Sequence, residues 1–201
     1  MTSSTDDQRD GQPSTNDQRA DQDQAPARRA GATERVRASL AANGLGGAAI
    51  REFDASTATS ADAAAAIGTS VERIVKSLVF MAGEAPVLVL ASGSNRVDTR
   101  KLAALAGQPV RRANADQVRE ATGFAIGGVP PLGHAQALRT FVDRDLLQYD
   151  EVWAAAGTPN SVFAIAPEHL VRVAGGTVAD VAEAPRGALA DGSEGPRPTG
   201  G

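Results

Sequence analysis

Lys76 lies in "RIVKSLVFMAG", residues 73–83, among Ile74, Val75, Leu78, Val79 and Phe80, with no carboxylate in the three residues that follow it. It is one of only two lysines, Lys76 and Lys101, in a chain whose other cationic side chains are all arginine. An ammonium flanked by apolar residues must reach water, a counter-charge or a ligand, because burying it unpaired costs several kcal/mol. A phosphate, or an ester oxygen gaining negative charge, is a natural partner. The plainer alternative is a lysine that snorkels to the surface from an edge strand. Period-two alternation sets Lys76 on one face with Ile74, Leu78 and Phe80.

Two glycine-bearing loops could bring main-chain groups up to a ligand. "GGVPPLG", residues 127–133, has two glycines, two adjacent prolines and a third glycine. Glycine lets a ligand approach without a Cβ in the way, and proline fixes the path. "AGTPNSVF", residues 156–163, offers Gly157 with the polar Asn160 and Ser161. Ordinary turns explain both equally well, since Pro-Asn is a common turn pair. From Ser94 to Arg112 the cations Arg96, Arg100, Lys101, Arg111 and Arg112 face a single acid, Asp98. Such a run suits phosphate contact, or is a solvated helix face. His134 follows the first loop and His169 lies in "PEHL"; neither has an acid–base partner that sequence can assign. No GxSxG elbow, phosphate-loop spacing or metal-ligand spacing is present.

These residues need a frame. "TERVRASLAANG" reads as a helix with Thr33 as N-cap and Gly44 as stop, and "GAAIREF" as a short strand. "SADAAAAIG" reads as a helix capped by Ser60 and stopped by Gly68. Residues 73–83 and "APVLVLASG" are apolar β runs joined as a hairpin at Gly83-Glu84. "DTRKLAALAG" and "ADQVREATG" read as helices, the first starting at Asp98 or Thr99. "FAIGGVPPLG" is a Gly/Pro loop after a short strand, and "RTFVDRDLLQYDEVWAAAG" two strands around a turn. "SVFAIA" is a strand, followed by the helix "APEHLVRVAG" with Pro167 in its first turn. Several strand pairs are joined too closely for a helical crossover. The expected class is therefore α+β, a mixed and largely antiparallel sheet with packed helices.

Composition sets the outer limits. The chain has 201 residues, 42% hydrophobic and 3% aromatic, so one domain with an aliphatic core is expected. With no cysteine there is no disulfide, no thiolate nucleophile and no cysteine-ligated metal. No apolar run reaches the ~18 residues of a membrane span, and the N-terminus has no apolar segment of signal-peptide type. Residues 1–32 and 184–201 are polar, charged and Pro/Gly-rich, and are expected to be disordered tails around a domain at 33–183. That domain carries 16 acidic and 14 basic side chains. Near-neutrality argues against coating long nucleic acid through net charge, yet leaves room for a local basic patch.

The order "IVKSLVF", "VLVLASGSNRVDTRKLAAL", "FAIGGVPPLG" and "WAAAGTPNSVFAIAPEHLVRV" resembles the YbaK/EbsC-type aminoacyl-tRNA deacylases, relatives of the editing domain inserted in bacterial prolyl-tRNA synthetases. The resemblance spans about residues 33–181. It implies a YbaK-like editing domain with a curved sheet, and hydrolysis, in trans, of the ester of a misacylated tRNA. Lys76 matches the family's shared lysine and is implied as the catalytic residue. Gly127 and Pro131 match the GxxxP loop. With Gly128, Gly133, Gly157, Asn160 and Ser161 they are implied to hold the aminoacyl group or terminal ribose. Arg96, Arg100, Lys101, Arg111 and Arg112 are then the candidates for acceptor-end phosphates. The resemblance implies no cofactor, no metal, no membrane, a cytoplasmic location and transient association with an aminoacyl-tRNA synthetase. The competing class is a non-catalytic nucleotide- or aminoacyl-tRNA-binding module of the same fold. The amino acid removed, the tRNA and the oligomeric state are left open.

Overall fold

A computed structural model describes residues 31–53 and 59–184. The tails expected at 1–32 and 184–201 lie outside the described residues, save residues 31, 32 and 184. In chain order the elements are α1 (31–42), β1 (Ile50–Glu52), α2 (Ser60–Ile67), a 3₁₀ turn at Val71–Arg73, β2 (Val75–Ala82), β3 (Ala85–Ser92), α3 (Thr99–Ala106), β4 (Val110–Arg112) and α4 (Ala115–Thr122). There follow β5 (Arg139–Asp143), a 3₁₀ segment at Arg144–Gln148, β6 (Val152–Ala155), β7 (Ser161–Ile165), α5 (Pro167–Ala174) and β8 (Thr177–Ala179).

The strands form two sheets, ordered β1-β7-β6 and β4-β2-β3-β5-β8. The β2–β3 hairpin, β2–β4, β1–β7 and β6–β7 are antiparallel, whereas β3–β5 and β5–β8 are parallel. The class is the expected α+β. A parallel bridge between Ile74 and Trp153 joins the sheets just before β2.

The runs of β2 and β3 are apolar on both faces because both faces are covered. On one side Val75, Val79, Leu88 and Leu90 pack with Val36 and Leu40 of α1, Val118 of α4, Leu170 of α5 and Phe163 of β7. On the other, Phe80, Ala82, Val87, Val89 and Ala91 pack with Leu102 of α3. Trp153, Val162 and Ile74 take Ala63 and Ala64 of α2.

Several local expectations change. Thr33 does not cap α1; the helix already runs at residue 31 and Thr33 is buried within it. Thr59, not Ser60, caps α2, its Oγ1 accepting from the Asp62 N–H at 3.1 Å. Asp98 caps α3 through the N–H groups of Arg100 and Lys101. No strand precedes the GGVPPLG loop: α4 stops at Gly123 and the chain enters the loop directly. The two strands around a turn belong to different sheets, β5 and β6, with the 3₁₀ segment between them. The three-residue strands β4 and β8 carry too few residues to show a period in sequence.

The two glycine loops are locked to each other and to α1 by contacts that exclude a side chain. A Cβ on Gly128 would lie 2.8 Å from the Gly157 carbonyl oxygen. One on Gly157, at φ +101°, would lie 2.8 Å from the carbonyl carbon of Ala32. Gly157→Ala should therefore destabilise the fold by about 1–3 kcal/mol from backbone strain alone, with the clash added. Thermal denaturation checks this; an unchanged Tm would show that α1 and the 157 loop can part at no cost.

Candidate functional site

The site follows from how β2 is paired. Its outer edge, the one away from β3, is bridged to β6 at Ile74 and paired to β4 only from Phe80 to Ala82, with the Ala113 N–H donating to the Val79 carbonyl at 3.1 Å. Among the described residues, Lys76, Ser77 and Leu78 have no strand beside them on that edge. The 126–129 and 158–161 loops reach over the gap instead. They enclose a cavity of about 280 Å³ whose lining includes Lys76, Ser77, Gly127, Trp153, Thr158 and Ser161. A smaller cavity of about 80 Å³ shares Ser77, Leu78, Ile126 and Val129 with it and adds Phe80, Arg112 and Val118.

Lys76 is half-buried at this gap, and its ammonium donates to the main-chain carbonyl of Asn95. That bond uses one of three protons and leaves two for a ligand. Asn95 is itself held. Its Nδ2 donates to Asp143 Oδ2 at 2.8 Å and to Asp145 Oδ2 at 2.7 Å. The buried Asp143 carboxylate also accepts from the Ser92 N–H at 3.1 Å and the Asp145 N–H at 3.2 Å. The lysine thus rests on a carbonyl that two carboxylates fix from behind. Burial pushes the Lys76 pKa below the usual lysine range; the Asp143 charge works against that, and the Arg112 and Arg96 guanidinium groups add to it. Lys76 lines the larger cavity and Arg112 the smaller one that adjoins it, and two cations there favour negative charge.

The remaining candidates divide. Gly127 lines the larger cavity and Ser161 forms part of its wall. Ser161 Oγ is buried and engaged with Thr158, accepting from the Thr158 N–H at 3.2 Å and lying 2.7 Å from Thr158 Oγ1. Asn160 holds the loop, its Nδ2 donating to the Phe53 carbonyl at 2.9 Å. Gly128 and Gly157 pack loop on loop, and Gly133 packs on Ser39 of α1. Pro131 is buried and is absent from both cavity walls. His134 lies outside the cavities; its Nε2 is 2.7 Å from the Pro130 carbonyl, and burial lowers its pKa.

Of the basic run, Arg96 and Arg112 act electrostatically on Lys76. Arg100 is 93% exposed beside Asp98. Lys101 is tied to Asp180, at 2.8 and 2.9 Å, and to the Ala182 carbonyl at 2.7 Å, where it holds the chain after β8. Arg111 donates to Gln117 Oε1 at 3.0 Å. Sequence reasoning passed over Ser77, Asn95, Asp143 and Trp153. Asp143 carried a signal, an acid closing the apolar run "TFVD"; the others had none without the pairing of β2.

The lowered Lys76 pKa sets a sign for stability. Between the folded pKa and the ordinary lysine value the unfolded chain binds more protons, so this residue's contribution rises with pH in that window and is unfavourable throughout the range below it. Lys76→Met should raise the Tm at pH 7 by a few degrees, and its advantage should shrink as pH climbs through that window. Melting curves of the two proteins across pH 7–11 check this; a lower Tm for the variant at pH 7 would show that the Asn95 contact outweighs desolvation.

Comparison with known proteins agrees with this frame. A crystal structure provisionally described as a trans-editing enzyme for prolyl tRNA synthetase superposes with a TM-score of 0.73 at 47% identity, covering 76% of this chain and 98% of the other. YwhH of Bacillus subtilis (strain 168), itself uncharacterised, is 36% identical over 122 residues, 60% of this chain and 78% of its own. EbsC of Enterococcus faecalis, described provisionally as a Cys-tRNA(Pro)/Cys-tRNA(Cys) deacylase, is 27% identical over 120 residues, 59% of this chain and 73% of its own. Proline–tRNA ligase of Stenotrophomonas maltophilia (strain R551-3) is 36% identical over 104 residues, 49% of this chain but only 18% of the ligase. The sequence profile of the aminoacyl-tRNA editing domain matches residues 54–173, more than half of the chain and every strand that borders the gap in β2, so the chain belongs to the aminoacyl-tRNA editing domain family.

Proposed function

We propose that the protein is an aminoacyl-tRNA deacylase that works in trans, hydrolysing the ester that links a wrong amino acid to the terminal ribose of tRNA. The observation that carries this reading is the half-buried Lys76 ammonium at a cavity in the open edge of β2, in a chain of the editing-domain family. Water adds to the ester carbonyl, the carbonyl oxygen gains negative charge, and the ribose hydroxyl leaves with a proton. The products are the free amino acid and uncharged tRNA. The ester is already labile, so positioning and charge stabilisation suffice, and no nucleophilic side chain, metal or cofactor is needed in the scheme.

Lys76 supplies positive charge to the developing oxyanion or the terminal nucleotide, held in place by Asn95, Asp143 and Asp145. Arg96 and Arg112 favour the approach of the phosphate-bearing acceptor end, whereas Lys101 is occupied by Asp180. The main chain at Gly127 borders the aminoacyl group. Discrimination rests on cavity size, where one methylene is worth only about 1–3 kcal/mol, so several small side chains are accepted. The setting is the cytoplasm, with transient association with a synthetase supplying the charged tRNA.

Release of radiolabelled amino acid from Ala-, Ser-, Cys- and Thr-charged tRNAs tests this reading. At least one should be hydrolysed well above its spontaneous rate. Lys76→Ala should keep the fold and lower that rate about ten- to a thousandfold, as expected for losing a charge-assisted contact from the transition state. Wild-type turnover by a folded Lys76→Ala protein would return Lys76 to a surface role.

A further inference from the structure

Ser77 has no part in the scheme above, yet among the described residues its hydroxyl is the one buried side-chain oxygen or nitrogen without a hydrogen-bond partner. Buried polar groups are almost always paired, so an orphan calls for a reason. Its position supplies one. Ser77 lines both cavities and sits where they meet.

The main chain adds to this. The Val79 carbonyl points to the outer edge of β2, where it accepts from Ala113. Strand geometry turns the N–H and C=O of Ser77, two residues earlier, to the same edge. That is the stretch between the Ile74 bridge and the β4 pairing, where no strand among the described residues receives them. One residue therefore brings an edge-facing N–H and an unpaired hydroxyl to the walls of the two cavities. Lys76 lines the larger cavity and Arg112 the smaller, which favours an acceptor oxygen that becomes negative over a cationic amino group.

We infer that Ser77 is a substrate-contact residue that donates, from Oγ and from its main-chain N–H, to the carbonyl oxygen of the aminoacyl ester. This rests on the deacylase reading. As water adds, the carbonyl oxygen turns into an oxyanion; both donors are already in place and strengthen as charge grows. The ligand class is an α-aminoacyl ester whose carbonyl lies at the junction, with the terminal nucleoside in the larger cavity and a small side chain toward the apolar Leu78, Val118 and Val129 of the smaller one.

Ser77→Ala and Ser77→Thr test the inference, using a charged tRNA that the wild-type protein hydrolyses. Ser77→Ala removes an unpaired hydroxyl, so its Tm should equal or exceed that of the wild type. Its kcat should fall about ten- to a thousandfold with KM changed little, as when one oxyanion donor is lost. Ser77→Thr, which keeps the hydroxyl, should recover most of the rate. Wild-type kcat in Ser77→Ala overturns the inference. So does a loss that tracks a lowered Tm and is not recovered by threonine, since the hydroxyl would then be structural.

If the wild-type protein hydrolyses none of the charged tRNAs, the deacylase reading fails, and Ser77 is judged by calorimetric binding of the non-hydrolysable 3′-alanylamido-3′-deoxyadenosine. Binding about two- to tenfold weaker in Ser77→Ala would support the contact, the range for one neutral hydrogen bond. Equal affinity, or no binding by the wild type, would overturn it.

Discussion

A strand that gives up its neighbour and finds another a few residues later must leave main-chain N–H and C=O groups facing open space, and such groups demand partners. β2 does this between its bridge to β6 at Ile74 and its pairing with β4 from Phe80. The rest of the site is arranged around that break. Two loops reach over it, held apart by no more than glycine thickness and seated on α1. The cavity is a gap in a sheet, with a strand as its floor.

The lysine sits beside this break. A cation buried in a strand without a partner would be costly; Lys76 lines the gap and reaches the Asn95 carbonyl, in the turn after β3, with two donors left over. The support behind it is built from short, buried contacts: Asp143 and Asp145 on Asn95, and Asp143 on the Ser92 main chain. With Lys76 in one wall and Arg112 in that of the adjoining cavity, the site holds more positive charge than the near-neutral domain would suggest. Net charge informs on partners only when it is read locally.

Much of the frame was legible in the sequence because its signals are local. The β2–β3 hairpin shows as two apolar runs around Gly83-Glu84, and α3 as a capped helix at Asp98. Lys76 stood out because its type contradicts its neighbours. What sequence could not show depends on pairing between distant segments. The break in β2 exists only once β4 and β6 are placed. Lys101 and Arg112 look alike in a basic run, yet one is stapled to Asp180 and the other faces the cavity. Pro131, Gly133 and Gly157 belong to the loops that the motif names, but their contacts are with the core and α1, because a glycine that permits close approach serves a helix as readily as a ligand.

The central claim is that the substrate's aminoacyl end occupies the gap in β2. Backbone amide chemical shifts of the ¹⁵N-labelled protein, titrated with 3′-alanylamido-3′-deoxyadenosine, test it most directly. The account predicts saturable shifts concentrated at Lys76, Ser77, Leu78, Gly127 and Thr158. Shifts confined to the groove on the far side of the loop, at Arg35, Arg119 and Phe124, would contradict it, because that groove shares no wall with the gap.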